Sequence, residues 1–295
     1  MDKIADALAR IREETDDAGD EVARLRPAPA GREGRRPPAE ISYTRTRIVA
    51  TPREVLRENR VIGGLETGPI VDAYKILAIQ VKQRLREKNW NALAVISPGE
   101  GDGKTLTAIN LAICLSLEVD QTVLLVDADL RNPSAHRYLG LPSGKGLSDH
   151  FVDDTPLEEI LVNPGLKRLV VLPGGRPLAN SSEILGSKKM AKLVQELKSR
   201  YPSRIVVFDL PPVLSAADVI AFAPYVDAAV MVVAENCTGR EELGRASELL
   251  GAISTLGVVL NRAAESRAST ESKAPGRPGR IARWLRRDEE GRTHV

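Results

Sequence analysis

The stretch SPGEGDGKT (97–105) joins three glycines to a lysine and a hydroxyl residue, a set of groups suited to cradling a polyphosphate. Glycine lets successive backbone N–H groups turn inward and come close to phosphate oxygens. The apolar stretch that follows, LTAINLAICL (106–115), reads as a helix, and a helix start adds its partial positive charge. Lys104 is expected to reach the β- and γ-phosphates of ATP, and Thr105 to offer its hydroxyl to Mg²⁺. Gly99, Gly101, Asp102, Gly103, Lys104, Thr105 and Leu106 are the candidate nucleotide contacts. The loop departs from G-x-x-x-x-G-K-[ST] at its first position, where Pro98 stands in place of glycine.

Two further stretches carry carboxylates at the ends of apolar runs. TVLLVDADLRNP (122–133) supplies Asp127, Asp129 and Arg131, and IVVFDLPP (205–212) supplies Asp209. In an open parallel sheet, ligands bind beyond the C-terminal ends of the strands, so these groups are expected to meet the phosphates there. A carboxylate in that place suits Mg²⁺, which takes oxygen ligands and keeps several waters; Thr105, Asp127 and Asp209 are the candidate ligands. A second carboxylate can act as base for an attacking hydroxyl or water, which makes Lys104, Asp127, Asp129 and Arg131 the candidate catalytic set. Plainer roles stay open: Asp127 as a helix cap or turn aspartate, and Asp129 with Arg131 as a pair that only stabilises its loop. The two prolines after Leu210 stop the strand and fix the turn.

The elements that must hold these groups are legible as short, Val-rich apolar runs at 92–97, 122–129, 169–175, 205–212, 228–233 and 256–261. They are continuous rather than alternating, as strands covered on both faces of a parallel sheet read. Helical patterns over 71–89, 104–118, 183–200 and 239–253 separate them, which predicts an α/β fold with a mostly parallel sheet flanked by helices on both faces. On 71–89, Ile76, Leu77, Ile79, Val81 and Leu85 are expected to pack against the sheet edge, with an oligomer surface as the alternative. The ends differ in composition. Residues 1–17 suit a short amphipathic helix, RLRPAPAGREGRRPPAE (24–40) reads as a linker, and the tail from about Ala264 is polar with one basic turn around Trp284. The expected division is a flexible segment at 1–64, an ATP-binding domain at 65–264 and a basic tail at 265–295.

Lysine and arginine number 42 against 40 acidic residues, a net charge of +2 that gives no reason to expect nucleic acid as a partner. Cys114 and Cys237 are too far apart in sequence for a spaced metal site and are expected to be small packing residues. No run approaches the ~20 apolar residues of a membrane span, and the charged N-terminus lacks the apolar core of a signal peptide. A cytoplasmic protein with indirect membrane attachment is expected.

The three motifs in this order resemble the bacterial tyrosine kinases of exopolysaccharide assembly, P-loop proteins related to the partition and Min-type ATPases. Residues 97–105, 123–131 and 205–209 are similar to that family's Walker A, Walker A′ and Walker B motifs. DAYKILAIQ (72–80) resembles its E-x-Y-R-x-L-R-x-x helix, and LPGGRPLANSSEIL (172–185) its P-x-G-x-x-x-x-N-P-x-E-L-L segment. VVLNR (258–262) ends where the family contacts adenine, so Asn261 and Arg262 become candidates. TRTRIVATPREVLRENRVIGG (44–64) resembles the lead-in of kinase-like proteins from exosortase-linked polysaccharide loci. The resemblance implies Mg-ATP-dependent tyrosine phosphorylation and a membrane partner of the polysaccharide copolymerase or chain-length-determinant type, which would hold the chain at the inner membrane. A homo-oligomer is left open.

Some positions depart from the family. The second loop lysine of the Min-type branch is absent, against a positioning ATPase. The family's C-terminal tyrosine cluster has no counterpart, since the tyrosines are Tyr43, Tyr74, Tyr138, Tyr201 and Tyr225, leaving Tyr43 as the alternative acceptor. The ring-forming E-x-x-R-x-x-R reads Asp72, Lys75 and Ala78, which removes a bidentate arginine contact. GRIARWLRR (279–287) offers anionic lipid an alternative contact. Two functions stand: a tyrosine kinase, or an ATP-switched regulator of the assembly machinery without autokinase activity.

Overall fold

Parity along the central strands sorts the core into two layers. In β3 (Thr122–Asp127), Val123 and Leu125 face one layer while Leu124 and Val126 face the other, and all four are buried. β6 (Arg204–Asp209) repeats the division with Ile205 and Val207 against Val206 and Phe208. Strands buried on both faces read as unbroken apolar runs for this reason. The first layer is covered by helices Arg53–Glu58, Pro69–Lys88 and Lys104–Ser116, and the second by Lys188–Ser199, Asp218–Phe222 and Arg240–Leu249. A computed structural model describes residues 46–64, 67–201, 203–251 and 253–263.

The remaining strands are β1 (Arg47–Ile48), β2 (Ala92–Ile96), β4 (Val162–Asn163), β5 (Leu169–Leu172), β7 (Ala228–Ala234) and β8 (Thr255–Asn261). They form one eight-stranded sheet in the order β1-β4-β5-β3-β6-β2-β7-β8. Every neighbouring pair is parallel except β4 with β5, which meet antiparallel at Val162 and Val171. The expected α/β architecture is present, and β6 lies between β2 and β3. The phosphate loop, the Asp127–Arg131 loop and Asp209 therefore leave three adjacent strands at the same end.

Several expectations change in detail. The lead-in to the domain is not all linker. Arg47 and Ile48 pair with Val162 and Asn163, helix Arg53–Glu58 buries Leu56, and Val61 and Ile62 enter the core. Asn110 secures this segment, its Oδ1 accepting from Ile62 N–H at 2.9 Å and its Nδ2 donating to the Arg60 carbonyl at 3.3 Å. Packing thus begins well before residue 65. On helix Pro69–Lys88, Val71, Leu77, Ala78, Val81 and Leu85 are buried, whereas Ile79 is 59% exposed. At 100° per residue Ile79 falls outside the face shared by Ala78, Val81 and Leu85, so Ala78 takes its expected place. The pattern over 183–200 divides into Ser181–Leu185 and Lys188–Ser199. The second starts where Ser187 Oγ accepts from Met190 N–H at 3.1 Å, an N-cap that also marks the break. Cys114 is buried as expected, burial pushing its thiol up to about 11, but Cys237 is exposed rather than in the core, its Sγ accepting from Arg262 Nη1 at 3.7 Å. The amphipathic pattern over 1–17, the linker at 24–40, Tyr43 and the tail from 265, with Trp284, lie outside the described residues.

Candidate active site

Gly103 shows why the loop needs glycine. Its φ is +92°, and a Cβ there would stand 2.1 Å from Asn261 Nδ2. Gly101 also has positive φ, at +76°. Between them Asp102 is buried and acts as a strut. One carboxylate oxygen accepts Gly99 N–H at 3.1 Å, and the other accepts the Thr238 hydroxyl at 2.7 Å. The loop is tied at its outer side as well: Asn261 Nδ2 donates to the Asp102 carbonyl at 2.8 Å and Arg262 Nη2 to the Gly101 carbonyl at 2.7 Å. The carboxylate of Asp102 is thus committed to holding the loop, and a nucleotide can meet only its backbone. Asn261, the last residue of β8, and Arg262 after it stand beside the loop. Leu106 is half-buried on the following helix, packed against the first core layer.

Lys104 opens helix Lys104–Ser116 and reaches back across the strand ends. Its Nζ donates to Asp129 Oδ2 at 2.7 Å, to Asp209 Oδ1 at 3.4 Å and to Thr105 Oγ1 at 3.2 Å. Burial opposes the charge on Lys104, but Asp209, Asp129 and Asp127 together outweigh it and hold the ammonium protonated above its ordinary range. Asp127 and Asp209 are register partners on adjacent strands, and both are fully buried. Burial first, then the charge of Asp209, raises the Asp127 carboxyl to about 7; the backbone N–H of Ala135 pulls the other way. Asp209 is also raised by burial, with Lys104 the main opposing influence.

The plainer role of Asp127 is real but uses only half of it. Its Oδ2 accepts the N–H groups of Ser134 and Ala135, both at 2.9 Å, where a short helix begins. Its Oδ1 has no hydrogen-bond partner, and neither has Asp209 Oδ2. Buried carboxylate oxygens are seldom left unsatisfied unless something else binds them. Two such oxygens beside the Thr105 hydroxyl fit Mg²⁺, an ion bound through one or two carboxylates together with substrate phosphates. Among the described residues no cluster of three or more His, Cys, Asp or Glu offers a cage made of protein alone, so such an ion would draw the rest of its shell from waters and phosphates.

Arg131 does not form the loop-stabilising pair with Asp129. It pairs with neither Asp129 nor the loop, but with Asp218, bonding the same oxygen through Nε at 3.1 Å and Nη2 at 3.0 Å. Asp129 instead accepts Asn132 N–H at 3.1 Å and the Lys104 ammonium. Asp218 and its second partner, the Ser181 hydroxyl, escaped the sequence reading. Ser181 lies inside LPGGRPLANSSEIL and was in view, while nothing in the spacing of Asp218 distinguishes it from an ordinary helix-start aspartate.

Residues 91–261 match a family described as an AAA domain. Tyrosine-protein kinase YwqD of Bacillus subtilis is 30% identical over 192 residues, 64% of this chain and 80% of that protein. The putative tyrosine-protein kinase CapB of Staphylococcus aureus is 28% identical over 178 residues, covering 60% of this chain and 77% of that one. Among solved structures, the chimerical protein CapA2B2 superposes with a TM-score of 0.65 at 25% identity, over 73% of this chain and 92% of that chain. The buried lysine and carboxylates at the ends of three adjacent parallel strands, and relatives that share this domain over most of their length, agree: the chain belongs to the bacterial tyrosine-protein kinase family and is an ATP-dependent, kinase-like P-loop protein.

Proposed function

We propose that this chain binds Mg-ATP at the 97–105 loop and transfers the γ-phosphoryl group to a tyrosine hydroxyl of a protein in a polysaccharide-assembly system. The observation that carries this reading is the pair of buried, unpartnered oxygens, Asp127 Oδ1 and Asp209 Oδ2, beside an ammonium already held by Asp129 and Asp209. Gly101 and Gly103 present backbone N–H groups to the phosphates while Gly99 keeps its bond to Asp102, and Lys104 leaves its carboxylate partners to neutralise the β- and γ-oxygens. Thr105 and Asp209 hold the ion, which when bound neutralises phosphate charge. Asp127 Oδ1 either completes that shell or takes the phenolic proton, and a carboxyl raised to about 7 suits the second task near neutral pH. Asn261 and Arg262 flank the base, and Asp129 returns Lys104 to its resting place after release. Catalysis then rests on positioning and charge neutralisation. The ATP-binding unit extends from the lead-in strand through Arg262, and a separate membrane protein of the copolymerase type anchors it.

The test is incubation of the purified chain with γ-labelled Mg-ATP and a Glu/Tyr polymer, with D127N and K104M as controls. Labelled phosphotyrosine that both variants lose is the expected result. The lysine latched onto two carboxylates also favours a second reading, an ATP switch, since nucleotide must rearrange the site on arrival. ATP hydrolysis without phosphotyrosine on any protein, coupled to a change in affinity for the membrane partner, selects that reading over the first.

A further inference from the structure

The segment 173–185 has no part in the phosphate chemistry above, yet it is stitched to the loop that carries it. Leu178 N–H donates to the Leu130 carbonyl at 2.8 Å. Gly174 backs onto Pro133 so closely that a Cβ there would stand 2.7 Å from the proline Cβ. Ser181, fully buried, donates to one oxygen of Asp218. The other oxygen of Asp218, itself at 0% exposure, receives the forked guanidinium of Arg131. The Arg131 side chain remains 40% exposed, and Nη1 stays outside the pair.

A carboxylate taken fully out of water is costly unless it is both paired and hydrogen-bonded, so this arrangement is a poor way to add stability. What it supplies is orientation, because a guanidinium bonded through two nitrogens has one fixed plane. The arginine so fixed follows Asp129 by two residues, on the loop that holds Lys104. We propose that Asp218, buttressed by Ser181, is a positioning residue for phosphoryl transfer. It holds the Arg131 guanidinium at the rim of the phosphate site and leaves its outer edge for the negative charge of the transferring group. The segment 173–185 thereby gains a task, since Ser181 is the contact by which it sets the arginine. This inference rests on the Mg-ATP reading above.

A double-mutant cycle on the full chain tests it, with Mg-ATP, a Glu/Tyr polymer as acceptor, and each rate divided by the number of ATP sites found by titration. D218N keeps the shape and the bond to Ser181 but removes the charge. It is expected to lower kcat by about tenfold or more, with KM for ATP moving less than about twofold, and R131A to do the same. In the double variant D218N adds nothing to R131A, whereas a merely structural aspartate would lower the rate independently. Effects that multiply, or D218N with wild-type kcat, overturn the proposal. If D218N does not fold, S181A decides: a loss of kcat that vanishes in the R131A background supports the proposal, and an unchanged kcat refutes it. A wild-type chain that binds no ATP removes both readings together. A wild-type kinase indifferent to D218N removes this one alone.

Discussion

Asp127 makes the nucleotide-free protein sensitive to pH in a direction opposite to most carboxylates. Its folded carboxyl lies at about 7 against an ordinary 3.8, through burial and the neighbouring Asp209. The folded state therefore holds a proton that the unfolded chain gives up more readily. By linkage, the stabilisation is fully present below the unfolded value and is lost as pH rises through about 7. The shift spans roughly 3 units, an upper figure of about 4 kcal/mol. Between about pH 5 and about pH 7 the loss amounts to roughly 2 kcal/mol. Urea unfolding in EDTA at several pH values measures it, with D127N as the reference, because the amide keeps the shape and cannot titrate in this range. The wild-type chain should lose roughly 2 kcal/mol more than D127N over that window. Added Mg²⁺ should bind more tightly as pH rises, since binding displaces the proton. Parallel pH profiles for wild type and D127N would refute the account of Asp127 as a buried, proton-holding group.

Replacing Lys104 with methionine should abolish ATP binding by titration. It should also destabilise the ligand-free chain by up to about 3–5 kcal/mol at alkaline pH, because the carboxylates are left without their cation; the loss should shrink on acidification, and an equal loss at every pH would contradict this. Gly103→Ala forces a Cβ at φ +92° against Asn261 Nδ2. We expect about 1–3 kcal/mol of strain and at least tenfold weaker ATP binding, and wild-type affinity would show that the loop tolerates a side chain. Leu56→Ala should cost about 2–5 kcal/mol in thermal or urea unfolding, because Leu56 is 2% exposed; a neutral outcome would return residues 47–64 to the status of a linker.

What the sequence made legible was whatever lay in continuous runs. β3 and β6 could be read because both of their faces are buried, so the four residues before each terminal aspartate are all apolar. The phosphate loop could be read because its glycines, lysine and threonine act through local backbone geometry. Arg131 could not, since its partner Asp218 lies 87 residues away and the pairing depends on how two loops meet. Whether Asp127 serves the start of the short helix stayed open for a related reason: whether a strand-end aspartate caps a helix depends on where the chain turns next. The lead-in strand and helix were missed because Leu56, Val61 and Ile62 stand in a charged stretch too short to show a period. Ile79 was misplaced because an alanine, Ala78, covers the core in its stead.

The placement of β6 between β2 and β3 carries a consequence for the order of events during synthesis. β2 and β3 leave the ribosome before β6, yet neither bonds to the other; β3 can meet β5 in the meantime, whereas β2 has no partner until β6 or β7 is made. Until residues 204–209 insert, the lysine and the two earlier aspartates have no common floor, and two unpaired strand borders stand open to any passing chain. The central parallel pairings span long sequence separations, a topology that closes slowly. Nucleotide should therefore be unable to accelerate folding before that insertion, and should act afterwards as a clamp on a sheet already complete.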